Sequence, residues 1–261
     1  MMRPKSIHWG EHPWEEIEQI ARAGAVAVAP FGSCEQHGPM LPVDTDIRIA
    51  EKVATEGGTI AAQKHGVPVL VLPTMPFGLA AHHMKFAGTI TLEPETYVSV
   101  VAEVLSCAVK HGFRRIAVVS GHGGNRPGLE LGIKKVVCSS PVPVRIALFK
   151  GWQDPEFARR RAEAFKDVPS EGQMGIHAAR SETSGTLADR PHLVRRDRMV
   201  RPELKMHTVP EWSWFTHELS ETGAFGDPSM ASAELGKKGW ETFCEAVGLF
   251  IKRLWETELP D

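Results

Sequence analysis

The chain is poor in cysteine, nearly neutral and without a long apolar run, and each shortage removes a class of function. Its four cysteines, Cys34, Cys107, Cys138 and Cys244, are far apart and form no CxxC pair. This spacing excludes the common thiolate zinc signatures and a disulfide framework, and it fits a reducing cytoplasm. Lys and Arg number 30 against 32 Asp and Glu, a formal net charge of -2 at pH 7. No field of one sign is available to gather nucleic acid or an anionic membrane. No stretch reaches the roughly 18 apolar residues that a spanning helix needs. The opening, MMRPKSIHWGEHPWEEIEQI, carries charges and Trp where a secretory signal would be uninterruptedly apolar. Repeats and low-complexity segments are absent. The expectation is a cytoplasmic protein with neither nucleic acid nor membrane as partner.

What is present is an ordinary globular composition, 42% hydrophobic and 24% charged, in 261 residues. Single α/β domains reach about 250 residues, so 1–261 is read as one domain. Short apolar, β-rich runs alternate with amphipathic segments of helix length. The runs are Ala25 to Pro30, Val67 to Leu72, Ile116 to Val119 and Val142 to Leu148. The helices are expected near Trp14 to Arg22, Ile47 to Lys64, Pro94 to His111, Pro127 to Val137 and Met230 to Trp255. Crossovers of that length imply parallel pairing, so the fold class is α/β, a three-layer α/β/α sandwich with a mainly parallel central sheet. Chemistry in such folds lies beyond the carboxyl ends of the strands, where the loops after Pro30, Leu72 and Val119 should converge. Arg159, Arg160 and Arg161, in a segment of weak periodicity, read as a solvated helix face.

Those loops hold the unusual residues. GSCEQHGPMLPVDTD, Gly32 to Asp46, follows the first run, and Glu35 and His37, two apart, can face one cavity from an extended backbone. Asp46 opens the next helix, where it is either a metal ligand or simply an N-cap, a role open also to Asp44 and Thr45. Surface polarity is the plainer reading of Glu35 and His37. SGHGGN, Ser120 to Asn125, surrounds His122 with glycines that permit close backbone approach. It lacks the Lys-Ser/Thr ending of a phosphate loop, which leaves His122 as a metal ligand. In HAARSETS, His177 to Ser184, the His and Glu182 are five apart and so off a common helical face; Glu182 is a ligand or a first-turn dipole partner. GLAAHHMKFAGTITL, Gly78 to Leu92, carries His82 and His83, either a satisfied core pair or the lining of a substrate pocket.

Together, GSCEQHGPxLPVDTD, HHxxFxGTITL, SGHGGN and HAxxxETS resemble the creatininase family over about Gly32 to Ala188. The resemblance implies two divalent metal ions, Zn in the first place with Mn or Fe as alternatives. Glu35, Asp46 and His122 would surround one ion, and His37, Asp46 and a further Glu the other. Creatininase proper carries that Glu just after the loop His, where this chain has Gly124, so Glu182 takes its place. Oxygen and nitrogen donors suit these metals. Two ions about 3.5–4 Å apart can share a hydroxide, lower its pKa and polarise a carbonyl.

The function expected is hydrolysis of a C–N bond in a small cyclic amide or formamide, with His177 donating the proton and Glu182 beside it. Substrate contacts are expected from His83, Trp152 and Gly123, and the family implies a homo-oligomer, commonly a hexamer. Deformylation of a pyrimidine nucleotide, cleavage of a peptide precursor and hydrolysis of a cyclic ketone occur in the same family. Creatininase proper also has a Trp shortly before the His matching His177; EGQMGIH has none, which points away from creatinine. Two other classes remain: a cysteine-dependent amidase with Cys34 as nucleophile and His37 or His122 as base, and a metal-binding protein without turnover.

Overall fold

The computed structural model describes residues 4–170, 176–205 and 213–260, apart from the side chain of Trp152. Four strands, β1 (Val26–Phe31), β2 (Val69–Val71), β3 (Arg115–Ser120) and β4 (Arg145–Leu148), pair in parallel in the order β2-β1-β3-β4. Each apolar run of the sequence thus supplies a strand, and the crossovers between them are helices.

Alternation along the strands sorts the core into two layers. Ala27, Ala29, Phe31, Ile116 and Val118 face α1 (Trp14–Arg22), α3 (Pro94–Lys110) and α4 (Arg126–Ser139) through Ile20, Tyr97, Leu105 and Leu129. Val26, Val28, Val69, Ala117 and Val119 face the opposite layer, α2 (Thr45–His65), α5 (Pro155–Ala164) and α8 (Ala233–Glu256), through Val53, Phe157, Val247 and Ile251. The result is the α/β/α sandwich. A strand residue such as Ile116, with no exposed surface, is worth about 1.5–3 kcal/mol of burial, so neither face could be left uncovered.

Helix boundaries differ from the sequence expectation in one place that matters. α2 begins at Thr45, so Asp46 lies in its first turn, and Asp44 at the N-cap position makes no capping bond. Asp44 instead receives both guanidinium nitrogens of Arg190, at 2.6 and 3.0 Å, which ties the start of α2 to the end of α6 (Arg180–Asp189). The basic run proves to be a helix face: Arg159 and Arg160 both pair with Glu156 on α5.

Candidate metal centre

β1 and β3 end at Phe31 and Ser120, and the chain beyond each passes over the carboxyl edge of the sheet. Asn125 fastens these passages together, its Oδ1 accepting from Leu79 N at 2.8 Å and its Nδ2 donating to Gly32 O at 2.9 Å. The segment after β1 is also bonded to the one after β2, since Ile90 N donates to Cys34 O and Gln36 N to Thr89 Oγ1. The three loops therefore converge as the strand order requires.

At the convergence Glu35, His37, Asp46 and His122 are buried. One ligand atom from each of Glu35, Asp46 and His122 lies within 4.8 Å of the others, and so does one from each of His37, Asp46 and Glu182. A third such group is Glu35, His37 and His177. Asp46 is shared: Oδ1 is 3.2 Å from His37 Nε2 and Oδ2 is 3.0 Å from His122 Nδ1. His122 Nδ1 is also 3.1 Å from Glu35 Oε1, and Glu182 Oε2 is 3.7 Å from His37 Nε2.

The imidazoles are turned by the backbone. His122 Nε2 meets the carbonyl of Leu79 at 3.0 Å, and His37 Nδ1 meets that of Glu35 at 3.2 Å. A carbonyl only accepts, so each of these nitrogens carries the hydrogen and the other nitrogen turns a lone pair on the carboxylates, the arrangement usual for a metal-bound histidine. Both oxygens of Glu35 and Nε2 of His37 are buried with no hydrogen-bond partner. Orphaned acceptors of this kind are costly unless something binds them.

Charge tells the same story. Burial disfavours an ion on His37, yet Asp46 and Glu182 raise it to about 10. Burial opposes the charge on His122 too, but Glu35 and Asp46 hold it well above the usual histidine range; burial likewise opposes the charge on Glu35, but His122 with His83 and His37 holds it well below the usual carboxylate range. Burial pushes Glu182 up to about 7, with Asp46 and Glu35 adding to the rise against His37. Three crowded carboxyl groups thus draw protons onto neighbouring imidazoles, and divalent cations would supply the same positive charge without them. The residues present fit such ions.

Glu182 stands where both readings offered by the sequence would place it. It stands in the first turn of α6, and its Oε2 accepts from Ala178 N at 2.6 Å while facing His37. That bond helps to hold Ala178 at φ 49°, a left-handed conformation costing an alanine about 1–2 kcal/mol. His177, just before it, is buried; burial and then the rings of His37 and His83 keep it well below the usual histidine range. Its Nδ1 is 3.8 Å from Glu35 Oε1.

His83 lies inside the cluster rather than at its rim, 2% exposed, with Nε2 3.3 Å from Glu35 Oε1. Gly123 opens a 3-10 turn, and a Cβ there would meet nothing within 4 Å. The side chain of Trp152 and residues 171–175 of EGQMGIH lie outside the described residues. Cys34 does not have the environment of a nucleophile: burial, then Asp44 and Glu35, raise its pKa, and Sγ is directed at Gly88 O, 3.6 Å away. Sequence reasoning gave no role to Gln36, Asn125 or Thr216. Gln36 alternates with Glu35 and His37 and so projects away from them, which on a surface loop would mean solvent; here a further layer of chain, Thr216 to Phe225, covers it.

A family model described as creatininase, creatinine amidohydrolase, matches residues 10–251. The mycofactocin precursor peptide peptidase of Mycobacterium tuberculosis (strain H37Rv) is 31% identical over 238 residues, 84% of this chain and 82% of that protein. The creatinine amidohydrolase of Pseudomonas putida is 27% identical over 248 residues, 90% and 91% of the two chains. A crystal structure of creatinine amidohydrolase superposes with a TM-score of 0.82 at 24% identity, covering 98% of this chain and 100% of that one. With the motif residues gathered at the carboxyl edge of a parallel sheet and the family model matched over nearly all of its length, the chain belongs to the creatininase family and is a hydrolase of that type.

Proposed function

We propose that this chain is a two-cation hydrolase of a C–N bond in a small cyclic amide or formamide. Glu35, Asp46 and His122 would hold one ion, and His37, Asp46 and Glu182 the other. The observation that carries this reading is the pair of ligand groups that share Asp46 and contain the unpartnered atoms of Glu35 and His37. Bound there, two divalent ions would bring a water towards ionisation at neutral pH and polarise a carbonyl. The all-oxygen-and-nitrogen donor set favours Zn, with Mn or Fe as alternatives.

The remaining work falls to the chain. His122 and His37 are aimed by Leu79 O and Glu35 O. The buried position of the centre limits competing water. His177 passes a proton to the leaving nitrogen, which must gain one as the C–N bond breaks. A peptidase and an amidohydrolase among the relatives both name C–N hydrolysis, which supports the bond class. Creatinine is expected to be a poor substrate because no aromatic residue precedes His177 in EGQMGIH. A homo-oligomer, hexameric by family resemblance, and a cytoplasmic location belong to the same reading; all four cysteines are free.

The test is elemental analysis of the purified chain, followed by chelation and a panel of formamides, cyclic amides and creatinine read by mass spectrometry. Close to two ions per chain, and hydrolysis lost to chelator and restored by Zn or Mn, support the reading. Activity insensitive to chelator but abolished by thiol alkylation would replace it with the Cys34 mechanism.

A further inference from the structure

Asn125 belongs to the loop after β3, yet neither of its side-chain bonds stays in that loop. It has no exposed surface. Its Oδ1 accepts from Leu79 N, 46 residues back, at 2.8 Å, and its Nδ2 donates to Gly32 O, 93 residues back, at 2.9 Å. A backbone N–H only donates and a carbonyl only accepts, so the two ends of the carboxamide cannot be exchanged. An asparagine that merely shaped its own turn would bond the backbone about two residues away.

Leu79 is gripped twice by this loop. Asn125 takes its N–H, and His122, in the same loop, meets its carbonyl through Nε2 at 3.0 Å. One contact would leave the loop free to swing about it, whereas two contacts on one residue fix its rotation. Leu79 is itself a firm mount, because the groups on either side are bonded to the segment that follows: Leu92 N donates to Gly78 O at 3.0 Å, and Ala80 N to Thr91 Oγ1 at 2.9 Å. Two glycines clear the space for the grip. A Cβ on Gly78 would come within 2.2 Å of Asn125 Oδ1, and one on Gly124 within 2.9 Å of Leu79 O. The other bond of Asn125, to Gly32 O, reaches the strand end that leads into Glu35. Glu35 and His122 belong to one ligand group, and this single carboxamide spans the backbone beneath both; neither of its bonds is to His37 or Glu182.

We propose that Asn125 is a positioning residue of the centre. It sets the place of the His122 ring through Leu79 and the spacing from Glu35 through Gly32, so it tunes the ion at Glu35, Asp46 and His122 and leaves the ion at His37 and Glu182 to other supports. This rests on the two-cation reading of those residues.

The experiment titrates the full-length chain, loaded with Zn, against a graded chelator to give one dissociation constant per ion, and adds a crystal structure of each variant. Asn125→Ala removes both bonds. Gly78→Ala leaves Asn125 in place and pushes a methyl group against its Oδ1, so it breaks the same contact from another loop and serves if Asn125→Ala does not fold. Each should raise one dissociation constant about 10-fold, the lower end for a group that orients a metal-bound histidine, and leave the other unchanged. Added to His122→Ala, which already lacks the first ion, Asn125→Ala should change nothing further; added to Glu182→Gln, it should leave neither ion firmly held. The crystal structures should show His122 Nε2 parted from Leu79 O. Equal weakening of both ions, an undiminished effect in His122→Ala, or a His122 ring unmoved in both variants overturns the proposal. The last readout needs no cation, so a wild type without stoichiometric ions fails the two-cation reading while the position of His122 still decides the role of Asn125.

Discussion

Gly124 is where family pattern and local packing meet, and replacing it by Ala tests the centre sharply. The backbone there is not left-handed, so Ala brings no conformational strain, only a methyl group. That Cβ would lie 2.3 Å from His122 Nε2 and 2.9 Å from Leu79 O, in the middle of the 3.0 Å hydrogen bond that fixes the tautomer of His122. Ordinary contact requires the imidazole to retreat by about 1 Å, and a misplacement of that size costs on the order of 10²-fold in rate. Losing the group that orients a metal-bound histidine costs about 10- to 100-fold in affinity, roughly 1.4–2.7 kcal/mol. Gly124→Ala should therefore hold the ion at Glu35, Asp46 and His122 more weakly while keeping the ion at His37 and Glu182. Its kcat should drop about 10²-fold. The assay is metal content against a graded chelator, with turnover on whichever substrate the panel identifies. Gly123→Ala is the control, because nothing lies within 4 Å of the added methyl; it should keep both ions, and a raised KM would mark Gly123 as a substrate contact. Equal metal retention and equal kcat in Gly124→Ala and wild type would refute the placement of His122 in the first ion's site.

Asp46→Ala should lose both ions by elemental analysis, since its two oxygens face His37 and His122 separately; two ions retained would remove it from the shared position. Glu182→Gln should weaken one ion only, and unchanged stoichiometry with full activity would leave it as the partner of Ala178 N alone. His177→Ala should cut turnover by about 10²–10⁴-fold with metal content near wild type, and a substrate with a better leaving group should recover part of the loss; a missing ion would make His177 a ligand instead. Away from the centre, the bidentate bond from Arg48, at 2.6 and 3.1 Å, lowers the pKa of Asp189. A lowered folded-state pKa stabilises fully above the unfolded value, close to 3.8, and is lost as pH falls through the folded one. Asp189→Asn should thus lower the melting temperature at neutral pH and flatten its decline below about pH 4; parallel wild-type and variant curves across that range would show that the pair contributes nothing.

The sequence by itself determined the layers and the whereabouts of the chemistry. Periods of two and of 3.6 are local properties of the chain, and burying both faces of runs such as Val26 to Phe31 requires helices on either side. Glu35, His37 and His122 were legible because they lie just beyond strand ends that a parallel sheet must bring to one edge, Asp46 because it opens the helix that follows, and His177 because of its own motif. Tertiary structure decided the rest. Glu182 and His37 are distant in the chain, so only the folded path shows that one carboxylate both holds Ala178 N and faces the imidazole. Gln36 drew no reading from the sequence, because alternation says which way a side chain points and nothing about what will be laid over it. The cover, from Thr216 to Phe225, is brought there by the fold alone. Tautomers and unpartnered atoms belong to the same class of fact: they depend on hydrogen-bond counts among groups up to 187 residues apart, which no local pattern encodes.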